Sequence, residues 1–164
     1  MMFLKSAIET LARTPERVAT LVEGLCESEL SRKPAEDVFS LRENVLHLRD
    51  IDVEGYEKRI ERIFTESHPS LSDIDGALLA IRRDYNRQPL QPALEAFARS
   101  RAASIERLKS ATESDLDRTA ELEDVGTVTL LVLVERWMEH DEGHLRDIEA
   151  LLAGRAARTT ADAA

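Results

Sequence analysis

Glu139-His140-Asp141-Glu142-Gly143-His144-Leu145, near the C-terminal end of a 164-residue chain, is the stretch on which the fold turns. Two histidines four residues apart lie one turn apart on the same face of a helix, so their imidazoles can converge on one ion. Extended at the helical repeat, Leu133, Trp137, His140, His144, Ile148 and Leu151 form one continuous row, widened by Leu130, Val134, Met138, Leu145 and Leu152. This pattern predicts an amphipathic helix whose core-facing surface the two histidines interrupt. Burying an imidazole costs free energy unless its ring nitrogens find partners. A shared divalent cation would be such a partner, and hydrogen bonds to other helices would be another; the stretch alone leaves both open.

The composition narrows the function classes. With 32 acidic against 22 basic residues and a formal charge of -10, the chain argues against a nucleic-acid partner, because phosphate binding needs a positive field. Arg82-Arg83 reads as part of a solvated helix face. A single cysteine, Cys26, rules out an internal disulfide framework, and with no signal peptide at the N-terminus the expectation is a reducing cytoplasm. No apolar run approaches a membrane span, so no membrane partner is expected. Only 6 Gly and 5 Pro among many Leu, Ala, Glu and Arg point to a mainly helical single domain over 1–154, with 155–164 as a disordered tail.

In chain order, a weak opening over 3–13 ends at Thr14-Pro15, where a threonine cap and a proline at the first helical position predict a new helix over 15–26. Cys26, flanked by Glu23 and Glu27, reads as a packing residue. Ser40-Leu41-Arg42-Glu43 is a capping box, so a second helix starts near Leu41 and runs to about Glu66. Its main apolar arc is Leu41, Val45, Leu46, Leu48, Val53, Tyr56, Ile60, Ile63 and Phe64. His47 falls outside that arc, and periodicity alone makes it solvent-exposed. His68-Pro69 breaks the helix, Ser72 or Asp73 can cap a short one, and a third long helix is predicted over 92–112. The long connection between helices two and three can cross the end of the bundle and leave them parallel. Ser114 to Gly126 reads as an acidic loop. Thr127 or Thr129 then caps a fourth helix that Gly154 stops near Ala153.

Four such helices make a four-helix bundle. The chain resembles the DinB/YfiT-like superfamily over about residues 12–153. The resemblance rests on Phe39-Ser40-Leu41, on Asn44-Val45-Leu46-His47-Leu48, on Tyr56 to Ile63 and Phe97 to Arg101, and on His140-Asp141-Glu142-Gly143-His144-Leu145. It implies an all-α bundle in which one histidine early in the second helix and two in the last hold a metal: by position, His47, His140 and His144. It thus reverses the periodicity reading of His47. Phe39 departs from the family, which usually carries tryptophan there, a change that should affect packing more than ligation.

Three neutral imidazoles with an open fourth position match a catalytic zinc-type site, and nickel or iron can occupy the same donor set. Asp50 and Asp141 are candidates to orient a ligand imidazole. The resemblance further implies a small-molecule substrate and a metal-bound low-molecular-weight thiol as nucleophile, that is, a thiol S-transferase. Hydrolysis by metal-bound water, with Glu142 or Glu54 as base, is a weaker variant. A non-catalytic metal- or ligand-binding stress-response bundle is the competing reading. The wide apolar arc of the second helix suggests a homodimer.

Overall fold

The computed structural model describes the backbone of residues 1–162 and side chains through Arg155. Helix α1 spans Met2–Val22 and short α2 spans Glu27–Leu30. The second long helix is built from α3 (Leu41–Asp50), a π-helical turn (Ile51–Tyr56) and α4 (Glu57–Thr65). The connection to the next bundle helix carries β1 (Ser70–Leu71), α5 (Gly76–Arg82) and a 3-10 turn at Tyr85–Arg87. Then come α6 (Leu90–Lys109), β2 (Thr119–Leu122), β3 (Gly126–Thr129) and α7 (Leu130–Asp162).

The sheet fixes the direction of the helices. Strand β1, which follows α4, pairs in parallel with β2, which follows α6, while β2 pairs with β3, which leads straight into α7. The C-terminal ends of α4 and α6 and the start of α7 therefore meet at one end of the bundle. α4 and α6 run parallel, as the long connection suggested, and α7 runs against both. Helix α1 runs alongside α7: Arg101 bonds both the Leu11 carbonyl and Asp141, and Arg17 pairs with Glu149. α1 and α3 each pack on both α6 and α7. Trp137 of α7, fully buried, stacks on Tyr56 of the π turn with ring centroids 4.7 Å apart at the centre of the main core.

The four-helix bundle stands as expected, with five local departures. α1 runs unbroken through Thr14 and Pro15, both buried. Proline has no N–H, so the Leu11 carbonyl one turn earlier loses its donor; Arg101 Nη1 donates to it instead at 2.8 Å. The acidic loop contains a hairpin. Ala120, Leu122 and Val128 point inward and Glu121 outward, but four-residue strands are too short for that alternation to stand out in the sequence. The short helix in the connection starts later than expected, capped by Asp75, whose side chain accepts from Leu78 N at 2.9 Å. Gly154 does not stop α7, which continues to Asp162; of the expected tail, residues 163–164 lie outside the described residues. Cys26 is exposed, not packed.

The second helix begins where the capping box places it. Ser40 Oγ accepts from Glu43 N at 3.1 Å, and the Glu43 carboxylate accepts from Ser40 N at 2.7 Å. Every residue from Leu41 to Leu48 is buried. The apolar arc that suggested a partner helix is covered within the chain, by α6, α7, α5 and the Tyr85–Arg87 turn. No helix among the described residues is long and apolar enough to cross a membrane.

Candidate metal centre

α3 and α7 run side by side in opposite directions, bringing His47 level with His140 and Asn44 level with His144. His47 Nε2 lies 3.0 Å from His140 Nε2, and one nitrogen from each of His47, His140 and His144 falls within 4.8 Å of the others. The ring centroids are 5.2 Å apart for His47 and His140, 4.4 Å for His47 and His144, and 4.7 Å for His140 and His144. Nitrogens about 2.0–2.1 Å from a tetrahedral ion are separated by about 3.3 Å. The donor set therefore fits one small divalent cation with little adjustment.

The electrostatics agree with that fit. Burial, then the neighbouring His144 and His140, pulls His47 down to about 2, and burial with His140 pulls His144 down to about 4. Both rings are thus neutral at physiological pH and offer a lone pair, the form a metal requires. The Nδ1 edges are arranged separately. His144 Nδ1 donates to Asn44 Oδ1 at 2.8 Å, and Asn44 is itself oriented by donating to the Ser40 carbonyl at 2.9 Å, leaving His144 Nε2 for the centre. His47 Nδ1 and His140 Nδ1 are buried without a hydrogen-bond partner.

Three side features shape the site. Phe39 covers it, with ring centroids 5.5 Å from His47 and 6.4 Å from His144. Gly76, at the start of α5, lies flat against the His47 ring: a Cβ there would approach Nδ1 to 2.5 Å and crowd Cε1 still more. A cleft of about 960 Å³ is lined by Phe39 and Asn44, which contact the histidine rings, and by Leu41, Leu151, Arg32 and Asp147; the three histidines are not in its wall.

All three histidines singled out in the sequence come together. The orienting role expected of Asp50 does not hold: its carboxylate is taken by Arg49, Arg83 and the Tyr85 hydroxyl, and it ties the α5 connection to α3. Glu54 is paired with Arg83 and Glu142 is exposed, so neither stands ready as a base. His68 is a loop residue at φ 50°, bonded through Nδ1 to Thr119 Oγ1 at 2.9 Å beside the sheet. Gly76 and the buried pair Asp52 and Arg101 went unread. A charged residue within each of two otherwise apolar helix faces was the available signal for the pair, but nothing in the sequence marks a glycine that touches a ring 29 positions away.

A family model described as the DinB superfamily matches residues 10–148. This chain belongs to the DinB superfamily. It is similar to two curated relatives. A protein of Halalkalibacterium halodurans named a "putative metal-dependent hydrolase" is 24% identical over 145 residues, 88% of this chain and 84% of that protein. Another of the same description from Oceanobacillus iheyensis is 24% identical over 140 residues, 85% of this chain and 80% of that protein. Among solved structures it is similar to YfiT from Bacillus subtilis, described as a probable metal-dependent hydrolase with an unusual four-helix bundle topology. The TM-score is 0.86 at 19% identity, covering 93% of this chain and 87% of that one. At that identity the likeness speaks to the fold alone.

Proposed function

We propose that this DinB-superfamily protein is a metal-dependent enzyme in which His47, His140 and His144 hold one divalent ion, zinc, nickel or iron. The observation that carries the reading is the convergence of the three imidazoles, with one nitrogen of each within 4.8 Å of the others. When bound, the ion supplies a Lewis-acid centre with a position left for a nucleophile. The chain's own residues do the rest: Asn44 fixes the His144 tautomer, Gly76 lets the His47 ring reach inward, and Phe39 shields the centre from bulk water. Three protein ligands leave room for a small molecule on the ion, and a cleft on the other side of Phe39 and Asn44 offers space for one nearby.

Two nucleophiles fit such a site. Water is supported by the names of the two curated relatives. A low-molecular-weight thiol is the second: Asp50 and Glu54 are paired with Arg83 and one oxygen of Asp141 with Arg101, so these carboxylates are engaged elsewhere. A thiol bound to a cation needs no carboxylate base, since the ion itself favours the thiolate. We therefore infer thiol transfer to an electrophilic small molecule as the reaction to test first.

The test pairs two assays on zinc- and nickel-loaded protein, one with a small thiol and a chromogenic electrophile and one with a chromogenic ester. Metal-dependent thiol conjugation supports the reading. Ester hydrolysis without conjugation would replace it with the hydrolase reading. Metal binding without either turnover would favour the stress-response bundle.

A further inference from the structure

Arg101 of α6 is almost completely buried, 1% exposed. Its guanidinium lies between two aromatic rings, 4.9 Å from the Phe97 centroid and 4.4 Å from that of Trp137. Nε and Nη2 donate to the two Asp52 oxygens at 2.9 and 2.8 Å, while Nη1 donates to the Leu11 carbonyl at 2.8 Å and to Asp141 Oδ2 at 2.7 Å. Trp137 Nε1 adds a bond to Asp52 at 3.0 Å. Removing an arginine and two carboxylates from water is costly, and apolar residues of similar volume would often serve stability as well. This cluster therefore calls for a use beyond holding the helices together.

Two atoms identify the use. Asp141 Oδ1 and His140 Nδ1 are both buried, both lack a hydrogen-bond partner, and stand 3.6 Å from each other. Buried polar atoms without partners are uncommon and ask for a reason. Here each is the nearest complement of the other, one an acceptor and one a ring nitrogen that can carry a proton. Asp141 cannot turn away to find another donor, because its second oxygen is pinned by Arg101, which Asp52 and the Leu11 carbonyl pin in turn. A shift of a few tenths of an ångström closes the pair into a hydrogen bond.

Resting on the three-histidine reading above, we propose that Asp141 is the positioning residue for His140. It accepts Nδ1–H, fixes the tautomer, and turns the Nε2 lone pair toward His47 and His144. Arg101 is the clamp that holds Asp141 in place. Asn44 performs the same service for His144 with a neutral oxygen, so the two ligands from α7 are oriented from opposite helices: His144 by α3, and His140 by the guanidinium on α6. A carboxylate acceptor also makes its imidazole a better donor to a cation than an amide acceptor does.

The experiment uses the full chain with Co(II) and Zn(II) as probes. Affinity is measured by chelator competition, the visible Co(II) absorption is recorded, and the metal-free proteins are melted in parallel. Asp141→Asn is expected to weaken binding by about 10- to 100-fold and to alter the Co(II) spectrum. A variant that melts earlier but binds Co(II) with wild-type affinity and spectrum would mean that Asp141 only supports the fold, and would overturn the proposal. Because Asp141→Asn can fail to fold with Arg101 half-paired, the wild-type zinc form is also examined by imidazole ¹H–¹⁵N NMR. A slowly exchanging proton on His140 Nδ1 with the metal on Nε2 is expected, and the opposite tautomer refutes the idea. Wild-type protein that binds neither metal would bring down the three-histidine reading itself and this inference with it.

Discussion

Replacing Gly76 by alanine should separate metal binding from folding. A methyl carbon at this position would stand 2.5 Å from His47 Nδ1, where ordinary contact begins near 3.4 Å, so something must move by about 1 Å. α5 is poorly placed to give way. Asp75 caps it, and the segment that follows is latched to α3 through Arg83 and Tyr85 on Asp50 and through Asn86 on Ser40. The His47 ring is the softer element, and it turns out of the centre. A ligand must be held within about 0.5 Å of its productive position, so the variant loses one of three ligands. We expect metal affinity to fall by at least about 100-fold, equivalent to about 2.7 kcal/mol, and folding stability to fall by about 1–3 kcal/mol from overpacking. The control is Gly143→Ala: it lies next to His144 on α7, but a Cβ there meets nothing within 4 Å. It should leave affinity unchanged and stabilise the helix by about 0.5–1 kcal/mol. Chelator competition and urea unfolding read both quantities. Wild-type affinity in a folded Gly76→Ala protein would show that the His47 ring is not held where the argument requires it.

Three further outcomes are expected. His140→Ala or His144→Ala abolishes metal binding by calorimetry, whereas His68→Ala, bonded beside the sheet, leaves it intact; loss of binding in the His68 variant would move the site. Metal-free protein loses stability as pH falls below about 6.5, because the unfolded chain takes up protons that the buried His47 and His144 rings refuse until about 2 and about 4. Each ring costs about 1.4 kcal/mol per pH unit. Asp52, pushed up to about 6 by burial, works in the opposite sense below that pH. The net loss is about 3 kcal/mol between pH 6.5 and 4.5, and a flat urea-unfolding profile over that range would contradict it. Ser40→Ala removes the cap of α3 and its contact to Asn86, and should cost about 1–2 kcal/mol by urea unfolding without moving metal affinity more than a few-fold; no stability loss would deny the capping role.

What the sequence made legible was local. The capping box at Ser40 and Glu43 marks a helix start because its two hydrogen bonds are made within four residues. His140 and His144 announce themselves because one helix sets their spacing. His47 does not, since helical periodicity finds a face only when a helix has a wet side. α3 has none: every residue from Leu41 to Leu48 is buried. Its polar residues are distributed by what each meets, with Asn44 on His144, Asp50 on Arg83 and Tyr85, and His47 on the other rings. The π turn at Ile51–Tyr56 then shifts the register, so a single wheel drawn from Leu41 to Glu66 mixes two faces. Only the resemblance, which compares positions rather than faces, grouped His47 with His140 and His144, the rings it lies beside.

Pro15 shows the same limit from the other side. The helix start expected at Thr14-Pro15 does not occur; the proline instead deprives the Leu11 carbonyl of a donor, which in an ordinary helix interior costs about 3 kcal/mol. The remedy comes from Arg101, 86 positions away, through an N–H that also serves Asp141. A regular residue at position 15 would supply its own N–H to Leu11 and compete with that arginine. The proline therefore leaves one carbonyl open where the guanidinium needs an acceptor, and the continuity of α1 and the orientation of the His140 side of the centre come to depend on the same buried cation. A helix-breaking signal in one element and a three-ring cluster in another are joined by a residue whose own helix gives no sign of either.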